Sequence, residues 1–107
     1  MTQSAPSVTE DRINEVIASV DYFKLTDTLT VCVLKLVNGF SVTGESACVS
    51  PENFNEQTGR DYAFANAREK IWALEGYLLK QWLHLEAAAA AAEDEEAKAP
   101  RIVLVNP

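Results

Sequence analysis

The dipeptide Asn38-Gly39 sits between two runs rich in β-branched residues, TVCVLKLV at 30–37 and FSVTGESACV at 40–49. A two-residue β-turn needs positive φ at both central positions, and Asn-Gly tolerates that best. The pattern predicts a hairpin over 29–49. With a two-residue turn, Val37 faces Phe40, Lys35 faces Val42, Val33 faces Gly44 and Val31 faces Ser46. Side chains alternate along a strand, so Val31, Val33, Lys35, Val37, Phe40 and Val42 share one face. Cys32, Leu34 and Leu36 share the other with Ser41, Thr43 and Glu45. Both faces are partly apolar, so the sheet should be covered on both sides or extended by another strand. The small residues Gly44, Ser46, Ala47 and Cys48 leave room for close approach, by a packed helix before a ligand or a second subunit.

A long helix is predicted over 51–92. Ser50-Pro51-Glu52 is a helix-start signal: serine caps free amides, proline fits the first turn and glutamate suits the positive end. Asn53 and Asn55 offer a second start, so one short turn should precede the main helix from about Asn55. Gly59 costs about 1 kcal/mol against alanine inside a helix, which suggests a close backbone approach there. Phe64, Ala67, Ile71, Leu74, Leu78 and Leu85 form an apolar stripe resembling a coiled-coil seam. A second stripe runs through Ala65, Trp72, Gly76, Leu79 and Leu83. One hairpin cannot cover both, so a homo-oligomer is expected.

Around this unit, residues 1–8 read as a tail and 9–20 as a short helix with Ile13, Val16, Ile17 and Val20 as its apolar face. Residues 21–28 read as a connection, with a short edge strand at 20–25 as the alternative. The alanines at 87–92 favour helix, but Glu93-Asp94-Glu95-Glu96 is unfavourable at a helix C-terminus. Residues 93–107 are taken as an acidic linker ending in a short strand, Arg101-Ile102-Val103-Leu104-Val105, that joins its own sheet or a neighbour's.

The 107 residues form one domain with a modest core, at a formal net charge of −7. That balance argues against duplex nucleic acid as a partner, because such binding needs phosphates neutralised by Lys and Arg. No run of about 18 apolar residues spans a membrane, and the first residues lack signal-peptide character. A cytoplasmic location is expected. Cys32 and Cys48 fall on opposite faces in the register above and are read as small buried thiols. With one histidine, His84, and no CxxC, neither a metal site nor a cofactor is predicted. Nothing in the pattern gives His84 a nucleophilic partner, and no phosphate-binding glycine loop is present. The expectation is a protein that is not an enzyme.

The residues suited to binding are Arg60, Asn66 and Lys70, with Arg68 and Arg101 as further cations and Phe40, Phe54 and Tyr62 as stacking rings. Asn66 and Lys70 are one helical turn apart. Guanidinium forks bind phosphate, asparagine can read a base edge, and a ring can stack on the base. These are parts of a nucleotide pocket.

The segments NGF at 38–40, SACVSPENF at 46–54, GR at 59–60, NAREKIW at 66–72 and EGYLL at 75–79 resemble, in order and spacing, a family of short tailed-phage proteins. More distantly the layout is similar to the Thoeris anti-defence sponge proteins of phages. That resemblance implies a sheet followed by helices, oligomeric assembly, and sequestration without cleavage of a cyclic nucleotide signal. The signal would be of the cyclic ADP-ribose type or a cyclic oligonucleotide, held in the host bacterial cytoplasm. The competing expectations are a protein-interaction module acting through the helix or the 101–105 strand, and a structural accessory protein.

The predicted fold class is therefore α+β: a small antiparallel β-sheet centred on a hairpin, packed on one long C-terminal α-helix, with a short N-terminal helix.

Overall fold

The computed structural model describes residues 6–95, and it is an α+β fold. A short helix α1 (Glu10–Val16) leads directly into strand β1 (Ile17–Lys24). Strands β2 (Leu29–Leu36) and β3 (Ser41–Ala47) follow, then a single 3-10 turn (Pro51–Asn53) and the long helix α2 (Glu56–Glu95). The sheet is an antiparallel meander in the order β1-β2-β3, so β2 is central. The expected C-terminal strand at 101–105 lies outside the described residues.

Helix α1 starts where Thr9 Oγ1 accepts from the Arg12 amide, with Glu10 and Asp11 in the first turn. It ends at Val16, not at residue 20. The spacing of Ile13, Val16, Ile17 and Val20 suits a helix, but a run of β-branched residues also suits a strand. Pairing decides the matter: Val16 O accepts from the Val37 amide at 2.9 Å, and Ile17 pairs with Leu36. An irregularity between Ile17 and Ser19 then sets the register of β1 against β2. The alternative edge strand at 20–25 was thus nearer the outcome, though the strand is longer.

The hairpin corrects the two-residue turn. Leu36 donates to Phe40 O at 2.7 Å, Gly39 donates to Leu36 O at 2.9 Å, and the Phe40 amide donates to Asn38 Oδ1 at 3.0 Å. Gly39 has φ 91°. This is a three-residue loop, Val37-Asn38-Gly39, with the glycine in the left-handed region, a common alternative to the two-residue turn. Lys35 now pairs with Ser41, Leu34 with Val42 and Cys32 with Gly44. A one-residue slip moves every side chain of β3 to the other face relative to β2. Val42 therefore joins Cys32, Leu34 and Leu36 in the core, while Val37 and Phe40 are exposed at the hairpin tip. The same slip removes the argument that Cys32 and Cys48 lie on opposite faces; both are free thiols, Cys32 buried and Cys48 partly so.

Helix α2 crosses the face of even-numbered residues. Its buried contacts are Ala63, Ala67 and Ile71, so Ala63 replaces Phe64 at the start of the expected stripe. The crossing point is Gly44. A Cβ there would lie 2.2 Å from Ala63 O and 2.2 Å from Ala67 N. No side chain fits, and the helix backbone rests on the strand. Gly59 faces the buried Thr30, whose Oγ1 would be 2.8 Å from an added Cβ. Ile13 and Val16 of α1 close the core at the other side. The opposite sheet face, with Val31 and Val33 partly buried, is not covered by any described element. The described residues thus extend the sheet by a third strand and cover one of its faces.

At 40 residues α2 is about 60 Å long. Asn55 Oδ1 caps it by accepting from the Thr58 amide at 2.9 Å, after the short turn that the two start signals predict. The helix continues through the alanines to Glu95, beyond the expected limit at 92, because alanine propensity outweighs the unfavourable acidic end.

Candidate functional site

The best-formed polar and aromatic site lies where the end of β1, the loop before α2 and the first turns of α2 meet. Alternation along β1 puts Tyr22 and Lys24 on the same face as the core residues Cys32 and Thr30, opposite which they pair. The end of the 3-10 turn delivers Phe54 to this corner, and the second turn of α2 delivers Arg60. The Lys24 ammonium stands 4.2 Å from the centre of the Phe54 ring. The Arg60 guanidinium stands 5.1 Å from the centre of the Tyr22 ring. Both distances lie in the range where a cation is drawn to an aromatic face. Glu56 pairs with Arg60 at 3.0 Å one helical turn away, on the exposed side. Burial is the main cause that raises the Tyr22 phenol above its ordinary value; Cys32 and Asp61 act in the same direction and Arg60 opposes them.

Two clefts flank Phe54. One of about 150 Å³ is lined by Tyr22, Lys24, Thr30, Phe54, Glu56 and Arg60. The other, of about 230 Å³, is lined by Thr28, Ser46, Cys48, Phe54, Thr58 and Tyr62 among others. Cys48 Sγ donates to Ser50 O at 3.3 Å at its edge. Two cations, one carboxylate, two further rings and a rim of hydroxyls therefore surround the Phe54 ring, which divides the space. Such a set can hold an anion against a stacked planar group.

Of the residues expected to bind, Arg60, Phe54 and Tyr62 are brought together here. The others are not. Asn66 Nδ2 donates to Glu45 O at 2.8 Å and ties α2 to β3. Lys70 is exposed one turn further on. Arg68 turns to α1, donating to Asn14 Oδ1 at 3.0 Å with Glu10 Oε1 at 3.9 Å. Phe40 is at the hairpin tip, beside Leu74 and Leu78, at the other end of the strands. Arg101 lies outside the described residues. The single pocket joining Arg60, Asn66 and Lys70 is thus corrected. Spacing along a helix does not show which side the sheet occupies, and β3 lies against Asn66.

Sequence reasoning missed Tyr22 and Lys24, which it placed in a connection. Their signal was the alternation at 22 and 24 within a strand-capable run.

No cluster of His, Cys, Asp and Glu suited to a metal ion is present among the described residues. Among these residues no helix is long and apolar enough to cross a membrane.

No curated protein and no solved structure matches the chain. The model of one family, the phage protein (N4 Gp49/phage Sf6 gene 66) family, matches residues 8–83, a span from just before α1 through most of α2. With that much of its length matched, the chain belongs to the N4 Gp49/phage Sf6 gene 66 family of phage proteins.

Proposed function

We propose that this phage protein is a non-catalytic binder that sequesters a small anionic nucleotide. In keeping with the distant resemblance to anti-defence sponges, the ligand is a cyclic immune signal, either of the cyclic ADP-ribose type or a cyclic oligonucleotide, and the protein acts in the host cytoplasm. The observation that carries the reading is the pairing of Lys24 with Phe54 and Arg60 with Tyr22 around one divided cleft. Each half is smaller than the roughly 300 Å³ where small-molecule sites begin, so a nucleotide spans both across Phe54. Lys24 and Arg60 would hold phosphate oxygens, Phe54 or Tyr62 would stack on a base, and the threonine hydroxyls would meet ribose. A local corner that sets Lys24 and Arg60 against the one carboxylate of Glu56, on an acidic chain, suits a small anion better than a long polyanion. Retention needs no proton transfer, and none is assigned.

The test is to incubate the protein with cyclic ADP-ribose isomers and cyclic di- and trinucleotides, remove unbound material by filtration, and analyse what heating releases. Intact release of one compound is the expected result. Arg60→Ala and Lys24→Ala should each weaken retention tenfold or more, since a hydrogen bond to a charged group contributes roughly 1.5–3 kcal/mol. Asn66→Ala should not. No depletion of any compound by folded protein would overturn the proposal.

A second reading, a protein-interaction module, is favoured by one observation: the apolar residues left exposed along the distal half of α2. It predicts no nucleotide retention and a discrete polypeptide bound through that helix.

A further inference from the structure

We infer that the distal half of α2 pairs antiparallel with the same segment of a second copy of this chain. The inference rests on the exposed apolar face of α2 and the hairpin tip beside it, and is independent of the nucleotide reading.

At 100° per residue, positions 67, 71, 74, 78, 82 and 85 fall within an arc of about 80°. Ala67 and Ile71 on this arc are fully buried against the sheet. The sheet stops at the hairpin loop, and the arc does not. Beyond it Leu74 is 39% exposed, Leu78 47%, Trp82 61% and Leu85 38%. A groove of about 320 Å³ opens at this boundary, between Leu36 and Phe40 on the hairpin and Leu74, Tyr77 and Leu78 on the helix. Aromatic side chains present roughly 150–250 Å² each. With Val37, Phe40 and Tyr77 the exposed apolar residues offer on the order of 700 Å². That approaches the ~800 Å² per partner of a standard interface.

The occupant is identified by two features. The first is the order of sizes along the seam: Leu74, Leu78, Gln81, Leu85, Ala88, Ala92. An antiparallel pair centred near position 83 sets Leu74 of one copy against Ala92 of the other, Leu78 against Ala88, and Gln81 against Leu85. The two leucine–alanine layers each hold one large and one small side chain, and the contact is its own mirror under a two-fold axis. A parallel pair would stack leucine on leucine and alanine on alanine, leaving gaps at the alanine layers. The second feature is steric. Paired helices lie about 8–10 Å apart, and each copy carries a sheet on the same helix face. In a parallel pair both sheets would occupy the space between the helices. In the antiparallel pair the two sheets lie at opposite ends of the seam, and the 88–92 stretch of one copy meets the groove at Leu36 and Phe40 of the other.

Sedimentation equilibrium of the full chain should give twice the 11.8 kDa monomer mass. Leu78→Asp and, separately, Leu85→Asp should weaken the dimer at least tenfold. Both residues are substantially exposed in the single chain, so an unchanged circular dichroism spectrum shows that the fold survives. In a Cys48→Ser background, Leu78→Cys with Ala88→Cys should oxidise to a covalent dimer, and Leu78→Cys alone should not. A monomer at 100 µM, or a dimer indifferent to both aspartates, would overturn the pairing. Crosslinking by Leu78→Cys alone would overturn its direction.

Discussion

The two halves of α2 share one apolar arc and use it in opposite ways. In the proximal half the buried positions are Ala63, Ala67 and Ile71, two of them small, and the facing strand contributes Gly44. In the distal half the same arc carries Leu74, Leu78, Trp82 and Leu85, all exposed. Small residues let a helix backbone rest on a strand. Large ones hold a neighbour at a distance and offer it area. Along this helix, therefore, an apolar side chain does not by itself mark the buried stretch; the small residues that let the backbone meet the sheet do. The family match ends at residue 83, so it takes in all of the sheet-packed half and only part of the exposed one.

Gly44→Ala should break the proximal half most severely. Its Cβ would meet backbone atoms at 2.2 Å on both Ala63 and Ala67, and backbone cannot rotate away as a side chain can. Overpacking costs typically about 1–3 kcal/mol and occasionally more, and this site should lie at the upper end. Urea unfolding monitored by circular dichroism would measure it. A loss under about 1 kcal/mol would mean that the helix does not rest on β3 at this point.

Ile71→Ala should follow, at about 2–4 kcal/mol, because a fully buried side chain leaves a cavity as well as losing transfer energy. Leu83→Ala makes a comparable deletion on the distal half, off the seam, and should change stability by under about 1 kcal/mol. Equal losses at the two positions would abolish the distinction between the halves.

The distal half also contains a glycine, Gly76, and nothing lies within 4 Å of a Cβ placed there. Gly76→Ala should raise stability by about 0.5–1 kcal/mol, through helix propensity alone. The same substitution thus takes opposite signs at Gly44 and Gly76. A destabilised Gly76→Ala variant would show that this stretch is packed more closely than its exposure implies.

Much of this was legible in the sequence, and the parts that were not have identifiable physical causes. The double start signal at 50–55 correctly placed a short turn before the long helix, because capping is local chemistry. The small residues of β3 correctly pointed to close helix packing. The hairpin was read correctly but its register was not. Asn-Gly serves a two-residue turn and also a three-residue loop with the glycine at positive φ, and only the choice of which Leu36 partner is bonded separates them. Residues 17–20 were assigned to helix because Val16, Ile17 and Val20 fit both periods, and the pairing of Ile17 with Leu36 is a long-range fact. The site was half legible for the same reason. Arg60, Phe54 and Tyr62 lie near one another in sequence, whereas Tyr22 and Lys24 arrive through strand pairing.

The smallest expected effect lies at the boundary between the halves. Arg12 of α1 donates from Nε to Glu75 Oε1 at 2.7 Å, joining α1 to α2 one turn past the buried Ile71. The hydrogen bond it donates to Glu75, and then the charge of that carboxylate, raise the Arg12 guanidinium above its ordinary value. The geometry suggests a strong pair, but Arg12 is 49% exposed while Glu75 is 13% exposed. Water screens the arginine side, and exposed pairs contribute about 0–1 kcal/mol once side-chain ordering is included. Arg12→Ala should therefore cost about 0.5 kcal/mol in low salt, and less at 1 M salt, where the Debye length falls to about 3 Å. A double-mutant cycle with Glu75→Ala isolates the pair from the packing of the arginine stem. A coupling well above 1 kcal/mol that survives high salt would mean that the pair is shielded from water. The ordered core would then continue along α2 past Ile71, and the line between the two halves would have to be redrawn beyond Glu75.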